Sequence, residues 1–338
     1  MITRRLTGAA FAALFTLTTH LSAAPTAAPG YATSLFYTHA NADRIVSYDW
    51  AGASDVYYQT STASFDYGGF FRWSGPAPVE LQNGSAAPFS GASVVTIGDY
   101  VYFNLGTFSS TPIDKYGPLS DHPALTQIST TANYALFGHS GDLFITGAVN
   151  FGPNQIFYSD LDGSGNLVSN PAVSLGTTGG GSGPLAFDAA GDLFFAPGYS
   201  DKSIYRWTAA QVIAAIANPT ANALTLTGHL WADYAALYPL QSGATSMLVE
   251  ADGDVLVTVT DFTNPSVLAR FDAAPDGSYV GTSETILIDT ALLGELRTHD
   301  GGLYISSENA IYQIVPEPAA AALLALGGAV IALRRRRS

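Results

Sequence analysis

Cysteine is absent from the 338 residues. That excludes disulfides, thiolate zinc sites and cysteine nucleophiles together, and it leaves stability to packing. Charge is scarce too: Asp, Glu, Lys and Arg make up 12% of the chain, with 13 basic residues against 27 acidic ones. Six of the basic residues sit at the ends, Arg4 and Arg5 at the start and Arg334, Arg335, Arg336 and Arg337 at the finish. The body between them keeps 7 basic residues against 26 acidic ones, a net charge of about −19. A surface of that sign repels phosphate backbones, so no nucleic-acid partner is expected. Phosphate loops, dinucleotide fingerprints and G-x-S-x-G elbows are missing as well.

What is present in quantity is glycine and aromatic side chains: 34 Gly, 18 Tyr and 18 Phe in a chain that is 47% hydrophobic. With so few charges, Ser, Thr, Asn and Gly must supply the polar surface, a mixture typical of β-rich extracellular proteins.

Both ends read as address segments. Residues 1–24 have the layout of a secretory signal peptide: Arg4 and Arg5, an apolar stretch from Leu6 to Leu21, then Ser22, Ala23 and Ala24 as small residues for cleavage. At the other end Val315, Pro316, Glu317 and Pro318 precede an uncharged run over 319–333 and the arginine cluster 334–337. At ~1.5 Å per residue that run spans only ~22 Å, short of the ~30 Å hydrocarbon core, which suits a transient stop better than a permanent anchor. Both arginine clusters stay cytoplasmic by the positive-inside rule, so the body between them is expected to be translocated.

The motif, short apolar run and arginine cluster of 315–338 resemble the PEP-CTERM sorting signal. That resemblance implies an exosortase substrate: a protein processed by signal peptidase and exosortase, held briefly at the inner membrane, and destined for the cell envelope, surface or exterior, often beside exopolysaccharide or biofilm matrix. It covers about 24 residues and says nothing of the body, 25–314.

Within the body a unit recurs: strand, tight glycine turn, strand, loop, then a third strand of Ile/Val-x-x-Tyr/Trp type. Clear copies are Leu136–Ile145 leading to Ile156, Leu185–Phe195 leading to Ile204, Met247–Val257 leading to Val267, and Leu296–Ile305 leading to Ile311. Weaker ones are Val94–Tyr102 with Ile113, and Leu35–Tyr37 with Ile45–Tyr48. The turn glycines Gly98, Gly141, Gly191, Gly253 and Gly301 are 43, 50, 62 and 48 residues apart, close to one four-stranded blade. Each is expected at positive φ.

The fold expected is therefore all-β: a propeller of about six four-stranded blades, with a signal helix before it and a short transmembrane helix after it. A pair of β-sandwiches is the competing architecture. In the long interval Thr208 is placed to cap a helix over Ala209–Ala217, followed by irregular chain to about Pro239, and Gly176–Gly183 reads as a Gly/Thr linker. The Phe187–Phe195 unit resembles blades of six-bladed propellers of the NHL and SMP-30-like class, in turn motif and period only.

Chemistry is thinly signalled. The five body histidines, His39, His122, His139, His229 and His299, have no metal-ligand spacing; His139 and His299 hold equivalent places before their turn glycines, which favours a shared turn role. Asp160 and Asp162 open an Asp-x-Asp-Gly loop, a hairpin with weak Ca²⁺ binding as the sharper reading. SMP-30-like enzymes hold a metal through Glu, Asn and Asp; Glu250, Asn154 and Asp188 have the residue types but no motif to place them. The reading is then an exported, non-enzymatic structural or binding propeller without a cofactor. The alternatives are a metal-dependent lactonase or hydrolase, or a glycan-binding module using Trp50, Trp73, Trp207 or Trp231.

Overall fold

A computed structural model of the chain describes residues 23–84, 93–105, 112–148, 152–261 and 263–317. After β1 (Thr26–Ala27) and β2 (Tyr31–Thr38), antiparallel sheets follow one another along the chain. Blade 1 holds β3 (Arg44–Ala51), β4 (Asp55–Ser61), β5 (Tyr67–Trp73) and β6 (Val79–Asn83), and blade 2 holds β7 (Val94–Ile97), β8 (Tyr100–Asn104), β9 (Ile113–Gly117) and β10 (Ala124–Ser129). Blade 3 holds β11 (Ala135–His139), β12 (Asp142–Ala148), β13 (Asn154–Ser159) and β14 (Val173–Thr178). Blade 4 holds β15 (Leu185–Phe187), β16 (Leu193–Phe195), β17 (Ser203–Trp207), α1 (Ala209–Ala217) and β18 (Leu230–Asp233). Blade 5 holds β19 (Gly243–Val249), β20 (Val255–Thr260), β21 (Ser266–Ala273) and β22 (Tyr279–Asp289), with β1 added at its outer edge. Blade 6 holds β23 (Leu293–His299), β24 (Gly302–Ser307) and β25 (Ala310–Pro316), and β2 completes it.

The inner strands β3, β7, β11, β15, β19 and β23 touch in that order, and β23 returns to β3, so the ring closes. Closure is made by the two ends of the body: β2 pairs antiparallel with β25 from Tyr31 opposite Pro316 to Thr38 opposite Ala310. Val315 and Pro316 thus belong to a ladder, and the Glu317 amide donates to Gly30 O at 2.8 Å. Pro318, the apolar run and the arginine cluster lie outside the described residues, as do residues 1–22 of the signal segment. Among the described residues no helix is long and apolar enough to cross a membrane.

The core is six seams, one between each pair of blades, with no single centre. In β20, Val255, Val257 and Val259 pack toward blade 4 while Leu256 packs toward blade 6. In β12, Leu143 and Ile145 face blade 2 while Phe144 faces blade 4. A strand sandwiched between sheets has no polar face, which is why these strands read as continuous apolar runs.

All five turn glycines adopt positive φ, from +58° at Gly98 to +98° at Gly253. α1 has the expected bounds, with Thr208 as N-cap and Gln211 closing a capping box. Three local expectations are corrected. Leu35–Tyr37 and Ile45–Tyr48 are not one unit: β2 is the outer strand of blade 6 and β3 the inner strand of blade 1, whose own turn glycine is Gly52 at φ +68°. Leu230–Asp233 is the fourth strand of blade 4 rather than irregular chain, and Gly176–Thr178 ends β14 rather than starting a linker. Both segments lack aromatic alternation because they are outer strands with one face exposed.

Candidate site in the axial channel

Six inner strands surround one axis, and a polar cluster forms where side chains of β23, β3 and β19 meet backbone groups of β7. Glu295 and Arg297 lie two residues apart on β23, hence on one face of the strand. The Arg297 guanidinium donates to Glu295 Oε1 at 2.6 Å and to the carbonyls of Leu296 at 3.2 Å and Val94 at 2.9 Å. Its Nε lies 3.6 Å from Asp49 Oδ1 of β3. Ser246 of β19 donates to Glu295 Oε1 at 2.7 Å and Ser47 of β3 to Oε2 at 3.0 Å. Asp49 Oδ2 accepts the Thr96 amide at 2.7 Å.

The same two serines, together with Ser93, latch neighbouring blades. Ser47 Oγ accepts the Val94 amide at 2.8 Å, Ser93 Oγ accepts the Leu136 amide at 3.0 Å, and Ser246 Oγ accepts the Leu296 amide at 2.9 Å. Thr146 does the corresponding work between blades 3 and 4, donating to Gly183 O at 2.7 Å.

This cluster is deep yet not sealed: side-chain exposure is 11% for Glu295, 13% for Arg297 and 18% for Asp49. Burial pushes the Glu295 and Asp49 carboxyls up, against the opposing pull of Arg297. Arg297 itself is held charged: burial works against it, but Glu295 and Asp49 prevail. The Tyr134 phenol, at the entry to β11, is pushed up to about 12, chiefly by burial and further by the Glu295 charge.

None of the histidines joins this cluster in a hydrogen bond or ion pair among the described contacts. His299 stacks on Trp50 of blade 1 (centroids 4.6 Å apart, planes 2° apart), and His139 stacks on Phe187 of blade 4 (3.9 Å, 11°). Their equivalent sequence places thus serve equivalent inter-blade stacks. His39 is buried, with Nδ1 2.9 Å from the Tyr58 hydroxyl. Glu250, Asn154 and Asp188 do not converge. Glu250 clamps Arg270 at 2.6 Å, Asn154 bonds Thr178 at 2.6 Å, and Asp188 accepts amides inside its own turn.

Asp162 likewise accepts the Ser164 and Asn166 amides, both at 2.9 Å, while the Lys115 ammonium takes Ser164 O and, at 2.7 Å, Asn166 Oδ1. Asp160 accepts the Tyr158 hydroxyl. Among the described residues the one group of three carboxylates close enough for a metal is Glu250, Asp252 and Asp254, on the β19–β20 turn, where Glu250 is already paired with Arg270 of β21. Trp50 and Trp207 are buried, and Trp73 and Trp231 half-buried, so no tryptophan is an exposed platform.

No family model matches the sequence, and no curated protein matches it. Solved structures do share the fold. A putative oxidoreductase (glucose dehydrogenase) from Thermus thermophilus is 13% identical with a TM-score of 0.55, covering 85% of this chain and 100% of that one. The PQQ-bound aldose sugar dehydrogenase of Streptomyces coelicolor is 12% identical with a TM-score of 0.53, covering 86% and 99%. A gluconolactonase of Xanthomonas campestris is 12% identical with a TM-score of 0.51, covering 85% and 89%. The chain is a six-bladed β-propeller of this general build.

The expectation of no cofactor does not stand, because a solved propeller of the same build is a PQQ-bound enzyme. Its sequence basis was the lack of a binding motif, and propeller sites are assembled from separate blades, which leaves no motif to find. The centre of this channel does not itself fit a metal or quinone. Arg297 already stands between its two carboxylates, whose four oxygens all accept hydrogen bonds or face the guanidinium. A bound group of that kind would have to sit away from this network.

Proposed function

We propose that the chain is a sugar- or lactone-processing enzyme acting at the axial channel, in place of the non-enzymatic structural role the sequence suggests. The observation that carries this reading is the water-reachable Glu295 carboxyl, held by Ser47, Ser246 and Arg297. A carboxyl whose pKa is raised by burial is suited to accept and return a proton. In lactone opening, a water oxygen adds to the ring carbonyl as Glu295 takes its proton. The ring C–O bond then breaks, and the leaving oxygen recovers that proton. The sugar enzymes among the similar solved structures support the substrate class.

The test is hydrolysis of glucono-1,5-lactone by the purified chain, followed by proton release, with aldose oxidation in the presence of added PQQ and an electron-accepting dye as a second assay. Glu295→Gln is expected to lower kcat by about 10²–10⁴-fold, the usual worth of a general acid–base. Neither activity in the wild type, or an unchanged rate in Glu295→Gln, overturns the reading.

We further propose that the enzyme works outside the cytoplasm, exported by residues 1–24, with exosortase and signal peptidase as processing partners and exopolysaccharide as a neighbour. The layout of 315–338 supports this. A fusion of the body to alkaline phosphatase should be active only with residues 1–24 in place.

A further inference from the structure

The face of blade 4 opposite its glycine turn carries an open groove of 550 Å³ lined by Gly180, Ser200, Asp201, Lys202, Ser203 and Asp233. That volume lies within the ~300–1,000 Å³ usual for small-molecule sites. Its floor is fixed by the ladder, since Ser203 and Asp233 are paired residues at the adjoining ends of β17 and β18. The chain on either side of Gly180 and Ser200 is crowded backbone. A Cβ on Gly183 would collide with Ala196 O, one on Gly198 with Ser182 O, and one on Gly243 with the Gly198 carbonyl. The Gly181 amide donates to Tyr199 O at 3.2 Å, and the Gly198 amide to Gly181 O at 3.3 Å.

Tyr199, the residue before Ser200 of the lining, is 63% exposed and packs against Gly181, where any side chain would press on its Cβ. Ser200, the next residue, is held at φ +65°, a conformation that costs a non-glycine residue and persists only where the surroundings enforce it. Asp201 accepts the Tyr205 hydroxyl at 2.8 Å, and Asp233 accepts the Ala235 amide at 2.8 Å, leaving each carboxylate further acceptor positions. The Lys202 ammonium is anchored on Tyr238 O at 3.2 Å and Pro239 O at 2.6 Å.

We infer that this groove is a binding subsite for a neutral sugar, distinct from the axial channel. Tyr199 offers a flat amphipathic face to the C–H side of a pyranose, Asp201 and Asp233 accept from pairs of hydroxyls, and Lys202 donates to a third. Carboxylates on an acidic body disfavour anionic glycans, so a neutral one is selected. The subsite does not depend on the channel reading. Loss of binding here leaves the Glu295 chemistry on small lactones intact, and the reverse also holds.

The test is calorimetric titration of the full chain with cello-, malto-, xylo- and mannohexaose in turn, with and without EDTA. At least one is expected to bind, with Tyr199→Ala and Asp233→Asn each weakening it at least tenfold while circular dichroism and melting stay those of the wild type. Tyr199→Phe should restore binding, since it keeps the ring. No binding by any of the four, binding that both variants leave unchanged, or binding abolished by EDTA would each overturn the inference, the last by making the groove a cation site.

Discussion

Replacing Arg297 by Met keeps the apolar stem of the side chain and removes the cation that stands between Glu295 and Asp49. Both carboxylates would stay behind, 11% and 18% exposed, with their serine and amide partners but no compensating charge. Removing one partner of a buried ion pair costs about 3–5 kcal/mol, because the remaining charge is left desolvated. For a folded body of this size, an unfolding entropy of ~2.1 cal/mol/K per residue converts that loss to a fall in Tm of about 5–8 °C.

The sign of the pH dependence provides a second check. Both carboxyls have raised folded-state pKa values, so each takes up protons more readily folded than unfolded, and stability from this source is lost as pH rises. Without Arg297 those pKa values rise further. The gap between variant and wild type should therefore shrink on acidification from about pH 7 to about pH 5. Differential scanning calorimetry across that range reads both quantities. A variant melting within about 2 °C of wild type at neutral pH, or a gap that stays constant or widens in acid, would refute the argument that this network is a buried, mutually compensated charge cluster.

Thr208→Ala removes the hydroxyl that accepts the Gln211 amide; it should cost about 1 kcal/mol and lower Tm by about 2 °C in the same experiment. Two glycine substitutions should separate by mechanism. Gly98→Ala meets open space and bears only the strain of φ +58°, about 1 kcal/mol, whereas Gly183→Ala drives a methyl into the Ala196 carbonyl and should destabilise several times more in urea unfolding. His39 has its pKa lowered by burial, so the folded state resists protonation and stability is lost as pH falls below the ordinary histidine range. His39→Gln should flatten that acid-side loss relative to wild type, and an unchanged slope would place the titration elsewhere.

Turn chemistry and strand composition were legible along the chain. The five glycines at positive φ, the capping box of α1 and the doubly apolar strands each depend on residues within one hairpin or one turn, so local pattern suffices to read them. The spacing of those turns was enough to reach a propeller of about six blades. Less was legible where local pattern is weak: β18 and the end of β14 are outer strands with one solvated face, and the first blade was misjoined because β2 precedes β3 in sequence yet belongs to the blade that ends the chain.

The channel site had no local signature at all. Ser47 and Glu295 are 248 residues apart, Ser246 and Glu295 are 49 apart, and they meet only because six sheets close around one axis. The blade 4 groove depends likewise on which ends of paired strands face the same side. The sequence by itself determined the repeating hairpin, the helix cap, the acidic body and the expected addresses at its ends. Only the tertiary structure decided which strand closes the ring and which polar side chains share the axis. Those choices are set by the register of β2 on β25 and by packing across six seams, which couple residues far too distant in sequence for any periodicity to record.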